Sequence, residues 1–489
     1  MLFNSLHFLL FFPTVTILYF LLPQRFRWQL LLAASCYFYM IFRPVYILVL
    51  LFTITVDYTA ARLMEKSEGR QRKVLLLASI LANVGILVFF KYYNFLNQSL
   101  HSTLNLFGLP VSDPPFLNIL LPLGLSFHVF RSLSYTIDVY RGELRAEKHL
   151  GIYALCVMFF PILVAGPIER PQNLLPQFRE RHFFEYERVV SGLQLMLWGF
   201  FQKVVIADRL APLVNAVYND PRSYHGISFI VATVLFAFQL YCDFAGYSNI
   251  ARGAAMVMGF RVMRNFDRPF LSETINDFWK RWHISLSTWF RDYLLFSLKG
   301  NRIRWRFYFN IFLMFLVSGL WHGAAWTYVA WGAINGCYLI AGAVWRDASK
   351  RRNPAVPSAV WLKWPVRALR VLRTFALFCF SLIFFRANSF ADASYIISHL
   401  SDVPHTLRLD GQFIQMFALL RASKLEFAVA LSSLALLLVV EILQYRYRLR
   451  DLIRQQPVWF RWGLYYACII AILLSAAINE SQRFIYFQF

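Results

Sequence analysis

The strongest constraint on this 489-residue chain is the recurrence, along its whole length, of apolar runs long enough to cross about 30 Å of hydrocarbon. Backbone amides and carbonyls in such runs find no water, so they must close their hydrogen bonds internally as helices. A membrane barrel would instead show short segments of alternating polarity. Charged residues make up 15% of the chain, against about 25% in soluble domains. The fold class expected is an all-α polytopic membrane protein, read as one domain over residues 1–489, with no internal repeat.

The loops orient the spans. Met1 to Leu22 has no basic flank and no small-residue cleavage site, so it reads as a retained first span. Pro23-Gln24-Arg25-Phe26-Arg27 follows and belongs inside, which places the N-terminus outside. Spans near 29–42 and 45–64 lead to Lys66, Arg70, Arg72 and Lys73, again inside. A span at 74–93 leads out to 94–115, which has no Lys or Arg, and one at 116–139 returns to Arg141 and Arg145. The basic linker 346–373 then belongs inside, and spans near 374–386, 425–444 and 462–478 place the tail 479–489 outside. The net charge of +23 is read as this topology signal together with attraction to anionic lipid headgroups. Without a soluble basic domain, nucleic acid is not an expected partner. The six cysteines lie in apolar stretches with no CxxC spacing, so neither a disulfide framework nor a metal site is expected.

The middle of the chain departs from this simple pattern. Residues 261–306 are too charged for a span, yet Phe278, Trp279, Trp282, Leu286, Trp289, Phe290 and Leu294 interleave at helical spacing. This predicts amphipathic helices at the interface or dipping into the protein. The apolar segment 307–320 spans only about 20 Å as a helix, too short to cross alone. It ends at Gly319-Leu320-Trp321-His322-Gly323, and 324–345 is apolar again. Both outer ends are basic, so a re-entrant hairpin or a tilted pair is expected, with His322 near its inner turn and facing a cavity. An ionisable group at that depth is a functional-site hypothesis by default, and imidazole is suited to moving protons near neutral pH.

Three segments carry a family resemblance: Gln239-Leu240-Tyr241-Cys242-Asp243-Phe244-Ala245-Gly246-Tyr247-Ser248; Asn265-Phe266-Asp267-Arg268-Pro269-Phe270, continuing through Asp277-Phe278-Trp279-Lys280-Arg281-Trp282-His283-Ile284-Ser285; and Gly319 to Gly323 with Trp331-Gly332. Together with Leu121-Pro122-Leu123-Gly124 and Ala165-Gly166-Pro167-Ile168, they resemble the membrane-bound O-acyltransferase (MBOAT) family. The bacterial branch with the alginate O-acetylase membrane subunit and the D-alanyl transfer protein of teichoic acids is the nearest match. The resemblance implies an MBOAT-like bundle of about 11–13 membrane helices, with re-entrant and interfacial helices around a central cavity. The motif core would lie at about 120–345 and C-terminal helices at 370–478.

It also implies that His322 is the catalytic histidine and His283 a second one; from position alone, His283 also suits a solvated or structural role. Acyl transfer from a thioester to a hydroxyl needs a base and a stabiliser for the developing oxyanion. Asn276, Asp277, Trp279, Arg281, Trp282 and Trp321 are candidate substrate-binding residues. Asp277 and Asp292 are also placed to pair with Lys280, Arg281 or Arg291, and the tryptophans suit an interfacial belt as well as a passage. Asp243 is placed to orient a histidine or pair with an arginine. The tail Phe484-x-Tyr486-x-x-Phe489 resembles the aromatic motif of a small peptide that partners the D-alanyl transfer protein, which makes Tyr486 either an acyl relay or an interfacial anchor.

The activity implied moves an acyl group, acetyl by preference, from a cytoplasmic thioester such as acetyl-CoA to a cell-surface polysaccharide hydroxyl. No bound cofactor is expected, and membrane lipids and an extracytoplasmic hydrolase-like partner protein are expected to assist in the cell (inner) membrane. D-alanyl transfer from a carrier protein, a transporter with a buried histidine, and an inactive scaffold are the alternatives.

Overall fold

The computed structural model describes residues 1–109, 112, 115–298, 302–352, 360–402, 424–447, 449–478 and 484–485. Among them every regular element is helical. Among the described residues, eight helices are long and apolar enough to cross a membrane, including Pro44–Met64, Gly69–Leu106, Tyr186–Asn219, Ile227–Met258 and Val458–Ala476. Leu6–Leu21, Gln24–Met40, Leu125–Arg141 and Arg304–His322 are further helices of 16 to 19 residues outside those eight. The chain is a multi-pass helical membrane protein. The final long helix is almost unburied across its apolar window, and Trp459, Leu473 and Leu474 lie open, as a lipid-facing surface requires.

Two of the expected boundaries move. The span placed at 74–93 runs on as one helical stretch to Leu106, through a π-helical segment Val88–Tyr92. The absence of basic residues beyond position 94 fixed a side for that segment, but Asn, Ser and His are tolerated in a helix that leaves the bilayer. The span placed at 116–139 becomes helical only at Leu125, after Gly124 in the left-handed region (φ +71°).

The described residues form two compact units. The first comprises residues 1–196 and 250–264, the second residues 197–249 and 265–489. In the first, Ile47–Met64, Gly69–Leu87 and Leu125–Arg141 pack together around buried polar groups. Asp57 accepts from Ser79 Oγ at 2.7 Å and from Asn83 Nδ2 at 2.8 Å, and Ser79 also donates to Thr136 at 3.0 Å. Arg131, 2% exposed, donates to the carbonyls of Ile162 and Leu163 at 2.6 and 3.0 Å. In a bilayer such bonds hold helices together where apolar burial gives little drive.

The second unit is centred on residues 227–249, its part of the helix Ile227–Met258, which is the most buried of the eight candidate spans. Tyr241 from this helix, Phe266, Phe270, Phe278 and Trp282 from the following segment, and Phe378 interlock with ring centroids 4.4 to 6.2 Å apart. This aromatic cluster explains how the charged stretch 265–295 can be folded inward: its rings are core, and its charges pair or are exposed. Arg304–His322 and Trp326–Arg352 form a tight hairpin. A Cβ on Gly319 would stand 2.3 Å from the Tyr328 carbonyl oxygen, and one on Gly332 would stand 2.3 Å from that of Phe315. Only glycine lets the two backbones approach so closely.

Candidate active site

His322 is the last helical residue of the first arm of this hairpin, with Gly323 N–H closing back onto Gly319 O at 3.3 Å. The arm is longer than the apolar pattern predicted, because Arg304, Trp305 and Arg306 join the helix and add a turn to the apolar core. Phe307, Ile311, Phe315, Ser318 and His322 recur every three or four residues and so share one face. That face lines a cavity of about 360 Å³. His322 is 5% exposed, and its ring lies 4.8 to 5.3 Å from those of Trp321, Trp331 and Phe385.

His283 lines the same cavity. It joins two short helices, Ile275–Arg281 and Ile284–Trp289, with left-handed backbone angles (φ 44°, ψ 54°). A non-glycine residue held there costs on the order of 1 kcal/mol or more and persists only where the surroundings impose it. The imposing structure is the Asn265-Phe266-Asp267 segment. Asn265 O accepts Ile284 N–H at 2.8 Å, its side chain accepts Ser285 Oγ at 2.6 Å, and Asp267 N–H reaches Arg281 O at 3.0 Å. The imidazole packs edge-on against Phe244 at 4.5 Å and lies 6.0 Å from Trp321, whose ring therefore touches both histidines. Burial pushes its pKa down to about 3, so it is neutral in the folded protein. At 1% exposure it is not the solvated histidine that its charged neighbours suggest.

The other predicted residues divide. Asn276, Trp279 and Trp282 line the cavity, Trp282 also belonging to the aromatic core. Trp321 contacts the two histidines without lining the space itself. Asp277 and Arg281 pair with each other at 3.0 Å, as their helical spacing allows, and do not line it; Asp292 pairs with Arg291 at 2.7 Å. Tyr486 lies outside the described residues. Lys280, Arg291 and Arg346, all exposed, stand where the cavity opens. Two imidazoles on a mostly apolar space with cations at its mouth suit removal of a hydroxyl proton beside an anionic donor.

Lys203, Asp208 and Asp243 form a buried ion cluster. Asp243 therefore meets a lysine, where the sequence suggested a histidine or arginine. The rule that singled out His322, an ionisable group inside an apolar run, applies equally to Lys203 in Leu195–Ala207 and was the available signal. A third group, His225, His399 and Asp402, brings metal-ligand-type atoms within 4.8 Å of one another, and none of its members lines the cavity.

Residues 143–387 match the model of the MBOAT, membrane-bound O-acyltransferase family. A hairpin histidine, a second buried histidine and their shared cavity all fall inside this range, and the chain belongs to that family of membrane-bound O-acyltransferases. It is 39% identical to a probable alginate O-acetylase of Azotobacter vinelandii over 400 residues, covering 80% of this chain and 76% of that protein. Against a peptidoglycan O-acetyltransferase of Helicobacter pylori it is 30% identical, covering 75% and 72%. Against a teichoic acid D-alanyltransferase of Bacillus subtilis it is 28% identical, covering 57% and 71%.

Proposed function

We propose that this enzyme transfers an acetyl group from a cytoplasmic thioester to a hydroxyl of a cell-surface polysaccharide. The observation that carries the reading is the pair His322 and His283 on one cavity whose mouth bears Lys280, Arg291 and Arg346. The cations suit the phosphates of acetyl-CoA. About 360 Å³ lies at the lower end of the range for ligand pockets and suits the acyl-bearing arm, leaving the nucleotide outside. The alginate and peptidoglycan O-acetyltransferases among its relatives supply the acceptor class.

His322 acts as the general base. It takes the proton from an attacking hydroxyl as that oxygen bonds to the thioester carbonyl carbon, and it returns the proton to the departing thiolate as the C–S bond breaks. His283, kept neutral by burial, donates to the carbonyl oxygen as it gains charge, with the Trp279 indole on the same wall. The attacking hydroxyl is that of Tyr486, which carries the acetyl as a phenolic ester and yields it to the polysaccharide through an extracytoplasmic partner protein. The basic loops support a location in the cytoplasmic membrane with both termini outside.

The test replaces His322 by Ala, verifies insertion, and counts acetyl esters on isolated surface polysaccharide. Loss of at least about 100-fold is expected for a general base, and unchanged acetylation would overturn the assignment. Tyr486→Phe tests the relay separately, since it keeps the ring and removes only the oxygen. The D-alanyltransferase similarity supports a second reading, in which a carrier protein presents the thioester. Transfer from free acetyl-CoA to membranes lacking any carrier decides against it.

A further inference from the structure

The helix Ile227–Met258 and the π-helical stretch Phe201–Ala207 touch backbone to backbone. A Cβ on Gly246 would lie 2.6 Å from Gly199 O and 3.0 Å from Lys203 N. Three residues before Gly246, Asp243 faces Lys203, whose Nζ is 2.5 Å from Asp243 Oδ1 and 2.7 Å from Asp208 Oδ1. All three side chains are only 3–4% exposed. One ammonium is thus set against two buried carboxylates, where the cost of desolvation offsets much of the attraction and makes the cluster weak evidence for stability. π-Helical segments such as the one carrying Lys203 recur at functional sites.

The second oxygen of Asp243 has a specific occupant. Its Oδ2 accepts the backbone N–H of Ile485 at 2.7 Å, a buried bond between residues 242 positions apart. Phe484 lies with its ring 4.5 Å from Tyr247 and 5.9 Å from Phe244, and Phe244 packs edge-on against the His283 imidazole at 4.5 Å. Phe484 and Ile485 are 2% and 4% exposed. Two residues of the C-terminal segment are therefore seated inside the second unit, one by its ring and the other by its main chain.

We propose that the Lys203–Asp208–Asp243 cluster is the receptor for this segment, and that Asp243 is a positioning residue that fixes residue 485 and so sets where residue 486 begins. The role in turnover rests on the acyl-relay reading; the seating itself does not. Lys203 holds the carboxylate by one oxygen and leaves the other directed at the amide, and a charge-assisted bond of this kind is about twice as strong as a neutral one. Because recognition is through the main chain, a proline at 485 removes it while leaving the ion cluster intact.

Two measurements on the full-length protein in nanodiscs test this. Hydrogen exchange of the C-terminal peptide reads the clamp directly. The Ile485 amide is expected to exchange at least 10-fold faster in Asp243→Asn than in the parent, and fast exchange in the parent overturns the proposal whatever Tyr486 does. Acetylation kinetics with acetyl-CoA read the positioning. Ile485→Pro is expected to lower kcat at least 10-fold with the donor KM unchanged, and Ile485→Val, which returns the N–H, to restore it. A fully active Ile485→Pro protein alongside an inactive Tyr486→Phe protein overturns the clamp and keeps the relay. A protected amide with a fully active Tyr486→Phe protein supports the clamp as a docking device and removes the relay.

Discussion

Burial acts on His283 in a way that titration can read. An unfolded chain protonates His283 near the ordinary value of about 6.5, whereas the folded one does so only at about 3. Between those values the unfolded state binds more protons, so stability falls as pH is lowered through that window. The thermal midpoint of the purified protein is expected to drop between about pH 7 and pH 4, and His283→Gln, which cannot charge, to flatten part of that slope. Identical slopes for the two proteins would put the acid sensitivity elsewhere. Lys203 is the converse case. Lys203→Met leaves Asp208 and Asp243 facing each other without their ammonium, and removal of one partner from a buried ion group costs about 3–5 kcal/mol. A denaturation midpoint within error of the parent would contradict the cluster. His322 was legible in the sequence because an imidazole interrupts an apolar run, and Lys203 obeyed the same rule. The burial of His283 was not legible, since it depends on Phe244 and Asn265 arriving from elsewhere in the chain.

Among the elements, the hairpin that carries His322 depends on two glycines. Gly332→Ala would put a methyl group 2.3 Å from the Phe315 carbonyl oxygen, so the arms must part, at a cost of about 1–3 kcal/mol. The expected result is a lower thermal midpoint together with a loss of transfer rate, because the arm that moves bears the cavity face. Gly336→Ala, whose nearest neighbour is a Phe312 side-chain carbon at 3.2 Å, is expected to fall much less. Equal midpoints for the two variants would mean that the arms do not touch as described. The hairpin was legible because its two apolar arms and basic ends demanded a turn at Gly319–Gly323. The true start at Arg304 was not, because charged residues look like loop until a helix end accommodates them. The short helices of 275–295 were legible as amphipathic but not as core, since spacing shows which residues share a face and not what that face meets.

At the scale of the whole molecule, the polytopic all-helical character followed directly from the apolar runs, while the polar interior of the first unit did not. Asp57 illustrates why: one carboxylate in an apolar helix becomes meaningful only when Ser79 and Asn83, 22 and 26 residues later, turn out to donate to it. Asp57→Leu removes the acceptor these donors share, leaving Ser79 only Thr136 and Asn83 only the Ser79 carbonyl, and is expected to cost about 1–3 kcal/mol, read as a lower denaturation midpoint. Asp57 does not line the cavity, so the donor KM is expected to stay unchanged; a raised KM would tie this network to donor binding. The bond between Ile485 and Asp243 has a consequence for biogenesis. It links positions 242 residues apart, and at about 5–20 residues per second the ribosome needs roughly 10–50 s to make that stretch. For that interval a newly inserted chain holds two carboxylates and one ammonium in the bilayer before the amide that Asp243 finally accepts has been made. A nascent chain arrested just short of residue 485 would have every described membrane helix and still lack the bond that joins its end to its middle.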